Sequence, residues 1–415
     1  MHRTVGERRA AIYTRVVEPV DHGTGSPVLV GTGAPVGGSS RERSAVTSAS
    51  VTFLSFAAPA SMLGVIWPEV RARFHQSLGA LGIVTLCYGI GRLSTAVSGR
   101  PMVRRVGRGR AFVAVLGVLV AACVAMALSP SWPWFLVATA ALGATSGALD
   151  SLGAGFIAGV GKVSSAGLIH GAYGVGATFG PLAVLVMPSW RAALGTAAAL
   201  AVVALAVAIR ARPAWPAPVA EPAIRAGRPP VVPVVLSLAA FAAFVAVEVT
   251  AGQWFYTYLT DQRRARSTIA AVGVACFWGG LTLGRLGLAR ARFRAFATQV
   301  GLTGLAITAG VLMLGVIVAP PVAAPFVLAI AGVALAPVIP SLFATTSGRV
   351  GSAHAQRLAG WQLVATNVGA ITVPSLTGAL VDGRGPGAVA IVVIVSLGVG
   401  VALLAAISRQ PESRP

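Results

Sequence analysis

Twelve apolar stretches, each near the ~20 residues that a helix needs to cross a bilayer core, follow one another along the chain. They begin near positions 46, 78, 111, 134, 166, 192, 231, 268, 297, 325, 358 and 386. Backbone amides have no water to bond inside lipid, so runs of this length must satisfy one another as helices. The expected fold is therefore an all-α integral membrane protein with twelve transmembrane helices. Composition agrees: 56% of residues are hydrophobic and only 10% charged, with mean hydropathy +0.81, far too apolar for a soluble globule.

The charges that remain are mostly basic, 32 Lys+Arg against 11 Asp+Glu, and Lys162 is the only lysine. In a soluble chain such an excess points to nucleic acid. Here the arginines fall between apolar runs, which makes the lipid bilayer the partner and excludes a nucleic-acid function. With a cytoplasmic amino terminus, 24 basic residues fall in inside segments and seven outside. The positive-inside rule then places both termini in the cytoplasm and the protein in the cell membrane.

Residues 1–45 are rich in Gly, Pro, Ser and Arg, lack the apolar core of a signal peptide, and read as a disordered basic cytoplasmic tail. A Pro-rich charged linker over 210–230 divides the helices into bundles at 46–209 and 231–408, and 409–415 forms a short cytoplasmic tail. Cys87, Cys123 and Cys276 show no CxxC spacing, and the five histidines are scattered. Without metal-ligand spacing, a nucleophile constellation or a Walker motif, neither an enzyme nor a metal or cofactor is expected.

The halves echo each other. Gly99-Arg100 is followed after four residues by Arg105, and Gly284-Arg285 by Arg290. Gly176-Ala177 precedes Pro181 as Gly369-Ala370 precedes Pro374. The matches fall in helices 2 and 8 and in helices 5 and 11, so two pseudo-symmetric six-helix bundles are expected. Gly99, Arg100, Arg104, Arg105, Gly284 and Arg285 then belong to basic gating turns on the cytoplasmic side.

Of the acids, only Asp150 and Glu248 lie well inside spans. A carboxylate there costs at least ~2.5 kcal/mol, so each should face a protein interior or an aqueous cavity. Arg92 lies at nearly the depth of Asp150, giving either a fixed ion pair or one that opens during transport. Glu248 has no equally deep basic residue in view, which favours a cavity-facing, proton-coupling role over a hydrogen bond to a neighbouring helix. His170 is either a proton-coupling group or a satisfied interfacial histidine. Gln253, Trp254, Trp278, Trp361, Gln362 and Asn367 are the substrate-cavity candidates, apolar walls with a few oriented amides, while a tryptophan is equally often core. Tyr256 and Tyr258, near the outer end of helix 7, read as interfacial aromatics.

These features together resemble the major facilitator superfamily. Several stretches are similar to its fucose-permease-like sugar branch: Leu149-Asp150 in helix 4, His170 through Ala177 with Gly180-Pro181 in helix 5, Glu248 with Gly252 and Trp254 in helix 7, Trp278 with Gly284-Arg285 in helix 8, Ala336 through Pro340 in helix 10, and Gly360-Trp361-Gln362 with Gly369 and Pro374 in helix 11. The resemblance implies a monomeric secondary transporter that moves a sugar or other small polar solute with protons by alternating access. The alternatives are proton-driven efflux of an amphipathic compound and a non-transporting membrane sensor. Three departures stand out, the first from the superfamily's gating loop and the other two from the sugar branch. Val103 occupies the place of the usual acid before Arg104, Ala154 that of a sugar-binding asparagine, and helix 1 has no acid between Val46 and Trp67.

Overall fold

The computed structural model describes residues 40–160, 163–215, 230–288 and 298–410. The expectations for most of the basic tail, for most of the linker, for Lys162 and Arg290 and for residues 411–415 lie outside them. Among the described residues there is no strand, and twelve helices are long and apolar enough to cross a membrane. Their main helices are α1 (Ser40–Phe74), α2 (Leu81–Thr95), α3 (Arg108–Ala127), α4 (Trp132–Val160), α5 (Val163–Val186), α6 (Trp190–Ala211), α7 (Val231–Thr257), α8 (Ser267–Leu288), α9 (Gln299–Val318), α10 (Ala324–Leu335), α11 (Ser352–Arg384) and α12 (Ala388–Ser408); the second span begins at Leu78, and the tenth covers Pro321–Ala344, beyond α10 at both ends.

Helix α1 starts at Ser40 rather than near 46. Glu42 lies in its first turn, where an acid suits the helix dipole, and Ala45 and Val46 are already buried. The expected linker likewise begins later: α6 runs to Ala211 and a short 3₁₀ turn continues it to Ala214. A π-helical turn, Tyr258–Gln262, extends α7. Helix α10 stops before Pro337, which has no amide proton to continue the ladder, and a shorter helix, Val338–Ala344, follows. Many hydroxyls inside the spans bond back to their own helix, as Thr52 does to the Ser48 carbonyl at 2.8 Å and Thr139 to that of Phe135 at 2.8 Å. None of these needs a partner from another helix.

Each half packs by the same scheme. In the first, α1 lies against α5, α2 against α4, and α3 against α6; in the second, α7 lies against α11, α8 against α10, and α9 against α12. The seam between halves is made by α2 with α11, α5 with α8, and α1 with α7.

Glycines set the register of the α2–α4 and α8–α10 contacts. A Cβ on Gly91 would strike the Ala140 carbonyl, and one on Gly143 that of Tyr88. In the second half Gly280 meets the Ala329 carbonyl and Gly332 that of Phe277, displaced along the chain by one common interval. Backbones can come this close only where small residues leave room. In the same register Gly147 packs on Thr95, as Ala336 packs on Gly284. Gly99-Arg100 and Gly284-Arg285, paired on sequence, are therefore one helical turn out of step. The other repeat keeps its place: Gly176 lies on the Leu54 carbonyl of α1 and Gly369 on the Ala242 carbonyl of α7.

Candidate functional site

Among the described residues, two ion pairs lie inside the helices, one in each half. In the first, Arg92 Nη2 on α2 pairs with Asp150 Oδ2 on α4, both side chains about one-fifth exposed. Gly147, on the turn of α4 before Asp150, lets the Arg92 backbone approach closely enough for the pair to form. Arg92 also reaches into the other half, where its Nε donates to Asn367 Oδ1 on α11 at 2.8 Å. Asn367 is held in turn by its Nδ2, which donates to the Leu363 carbonyl at 2.8 Å.

In the second pair Arg285 Nη2 on α8 donates to both oxygens of Glu248 on α7, at 2.7 and 3.0 Å. This corrects two expectations. Glu248 does have a basic partner, and Arg285 is not part of a gating turn, because α8 continues to Leu288 and carries it inside the bundle. Counted from the loop ends of the two helices, Arg285 lies only about one turn, ~6 Å, deeper than Glu248. The long arginine side chain spans that difference. The Glu248 side chain is 9% exposed and that of Arg285 29%, so the cation is the open side of the pair.

His170 on α5 lies within electrostatic reach of both Asp150 and Arg285, and Phe53 supports it edge to face at 5.9 Å. Tyr173, one turn further along α5, is within reach of Arg92, Asp150, Arg285 and Tyr88, and its ring meets Phe56 at 5.5 Å. His170 and Tyr173 on α5 thus each lie within electrostatic reach of both pairs.

The cavity candidates divide. Gln253 is at the seam: its Nε2 donates to the Ala60 carbonyl on α1 at 3.0 Å, while its Oε1 is buried without a partner. Trp278 packs on Gly252, and its indole N–H is also buried and unpartnered. Trp254 is fully buried within the second half, its Nε1 donating to the Pro374 carbonyl at 2.9 Å, so it lines no cavity. Gln362 is 1% exposed and donates to Thr346 Oγ1 at 2.8 Å, beside Ser237. It belongs to a polar cluster built around Arg349, whose Nη2 donates to the Leu342 carbonyl at 2.6 Å and to Ser237 Oγ at 3.2 Å. Burial pushes the Arg349 guanidinium down to about 10, which leaves it charged at neutrality. Trp361 is 61% exposed. Tyr256 and Tyr258 are buried in the bundle rather than interfacial.

The basic stretch after α2 is a short helix, Gly99–Val106, rather than a turn. Gly99 lies against α4, its amide donating to Ser151 Oγ at 3.0 Å, and Arg100, Arg104 and Arg105 face outward. Gly107, at φ 82, ends the helix and allows α3 to start. At the far end of the seam Asp382 accepts from Ser77 Oγ at 2.7 Å and from the Gly79 amide at 2.7 Å. Among the described residues no group of histidines, cysteines and acids is placed to hold a metal ion.

The model of the Major Facilitator Superfamily matches residues 49–374, most of the chain. The chain belongs to the major facilitator superfamily. No curated protein matches it in sequence. Its fold is similar to that of a bacterial homolog of the human lysosomal transporter Spinster in an inward-facing and occupied conformation, with TM-score 0.65 and 13% identity over 91% of this chain and 100% of that one. It is similar as well to the human organic anion transporter MFSD10 (TETRAN), with TM-score 0.65 and 15% identity over 88% of this chain and 99% of that one. Both likenesses concern the fold. Members of this superfamily are transporters, not enzymes.

Within this superfamily fold, the residues that sequence reasoning passed over are Tyr88, Tyr173, Asp382 and Arg285 as a partner for Glu248. One signal was available. Gly91-Arg92-Leu93 and Gly284-Arg285-Leu286 repeat inside the apolar parts of helices 2 and 8, and both arginines turn out to hold an acid.

Proposed function

We propose that this protein is a proton-coupled secondary transporter of a small polar organic solute. It works by alternating access in the cell membrane, with the face that carries Ser40 and Ser408 toward the cytoplasm. The observation that carries this reading is the pair of internal ion pairs, one per half, the first of them tied across the seam to α11 by the bond from Arg92 to Asn367. A carboxylate held by arginine in a low-dielectric interior keeps its charge until a proton neutralises it. The arginine, always charged, is then released to a new partner. Protonation thereby changes the bonding between and within the halves, which is what coupling to a rocking motion requires.

The seam supports an inward-facing state. On the face away from Ser40, Gly79 and Gly82 pack on Gly378, and Gly64 packs on the Gln253 backbone. A neutral sugar is the second reading, favoured by the unpartnered Trp278 N–H and Gln253 Oε1, which match a hydroxyl acceptor and donor. The burial of Trp254 and Gln362 removes two of the groups first assigned to such a site.

Reconstituted protein given an acid exterior and a panel of labelled hexoses, polyols and hydroxy acids tests the reading. Accumulation of one class above equilibrium, collapsed by a protonophore, is expected. Equilibration of every member at equal rates with and without the pH gradient would contradict it.

A further inference from the structure

Arginine presents five N–H donors in a planar fork. Arg285 spends a single nitrogen on both oxygens of Glu248, so Nε and Nη1 have no bond from that pair. Neither nitrogen is among the sealed, unpartnered atoms, whereas the Nε atoms of Arg71, Arg108, Arg263 and Arg349 are. With its side chain 29% exposed, the open edge of Arg285 faces accessible space. Arg92 differs: Asp150 and Asn367 hold it on two sides, and it serves as the tie across the seam.

We infer that Arg285 is the carboxylate-binding residue of the transport site, and that the solute is an organic anion, a hydroxylated carboxylate, carried with the proton that neutralises Glu248. This rests on the proton-coupled reading above. Once Glu248 is protonated, Arg285 remains as an unbalanced cation within the helices, and a neutral solute cannot compensate it. A carboxylate restores the balance through a two-pronged contact with the freed guanidinium. One proton and one anion then enter together and the charge of the site is unchanged. The titratable groups that lie within reach of Arg285 from α5 are His170 and Tyr173, and the carboxylate that shares their surroundings, Asp150, is already balanced by Arg92. Neither His170 nor Tyr173 supplies a negative charge at neutral pH that would compete with the solute. The Trp278 N–H, which lies on α8 two turns from Arg285 and on the same face, and the Oε1 of Gln253 are buried without partners in this state, and hydroxyls on the solute suit them once the site opens around it.

Gluconate and glucose share a carbon skeleton and differ in charge at C1, which makes them the probes. The detergent-purified full chain, titrated at constant ionic strength, is expected to bind sodium gluconate or sodium lactate and to ignore glucose. Arg285→Gln is expected to lose the carboxylate. Glu248→Gln, which removes the competing charge, is expected to bind gluconate or lactate at least about tenfold tighter at neutral pH, a gain that misfolding cannot mimic. Binding of neither carboxylate, equal binding of glucose, or no gain in Glu248→Gln overturns the inference. Vesicle uptake separates the two layers. Carboxylate binding that a pH gradient does not convert into accumulation defeats the coupling and leaves the subsite. Gradient-driven glucose uptake without carboxylate binding defeats the subsite and leaves the coupling.

Discussion

Asp382, at the end of α11, caps the 3₁₀ turn Leu78–Ala80 that leads into α2 in the other half of the molecule: its Oδ1 accepts from the Gly79 amide at 2.7 Å. An acid at a helix amino end bonds otherwise unsatisfied amides and complements the dipole. Its second oxygen takes Ser77 Oγ at 2.7 Å, and Gly82 packs on Ser375 beside it. Opening this face has to break all of these contacts. Asp382→Ala should cost the closed state about 1–2 kcal/mol, a roughly tenfold shift toward the open state. Labelling of Ser375→Cys by an impermeant maleimide should rise accordingly, and an unchanged rate would remove Asp382 from the gate.

Asn367 supplies the bond that ties Arg92 to the second half. Asn367→Ala removes an acceptor from a charged donor, so the seam should weaken by about 1.5–3 kcal/mol. Asn367→Asp should tighten it. Spin-label distances between α2 and α11 should broaden in the first variant and narrow in the second. Identical distributions in both would mean that Arg92 serves only its own bundle.

The glycines on the packed faces differ sharply from those facing outward. Gly143 has the Tyr88 carbonyl where its Cβ would stand, whereas Gly117 on α3 has nothing within 4 Å. Gly143→Leu should separate α2 from α4 at a cost of about 1–3 kcal/mol or more. Gly117→Ala should instead gain about 0.5–1 kcal/mol of helix stability. Thermal unfolding followed by size-exclusion chromatography checks both signs. Equal tolerance at the two positions would contradict the packing described.

The fold was legible because lipid leaves a long apolar run few choices. Twelve such runs and a charged break near 210–230 sufficed for the helix count. The Arg92–Asp150 pair was legible for a related reason, since equal depth on helices of opposite direction can be counted. Glu248–Arg285 was not, because counting depth by Cα position ignores a side chain able to reach across a turn. The aromatic candidates failed differently. Position along a helix gives depth but not azimuth, so nothing in the spacing distinguished Trp254, turned into its own bundle, from Trp278 near the seam. Asp382 lies close to a loop, and its partner is about three hundred positions away in the chain. Sequence spacing holds no information about that pairing.

Arg349 provides a control. It is bonded to Ser237, Thr346 and the Leu342 carbonyl, and no carboxylate is bonded to it among the described residues. It ties α7 to the short helix Val338–Ala344 and to the segment that leads into α11. Arg349→Gln should lower the unfolding temperature by several degrees and leave the pH dependence of uptake unchanged. A shifted pH profile would extend the coupling machinery to this end of the bundle.

The most direct test of the central claim compares wild type with Glu248→Gln in proteoliposomes, following labelled gluconate under an imposed acid exterior. Wild type should concentrate gluconate above equilibrium, while the variant should exchange it across the membrane without accumulating it. Full uphill accumulation by Glu248→Gln would show that the Glu248–Arg285 pair does not couple protons to transport.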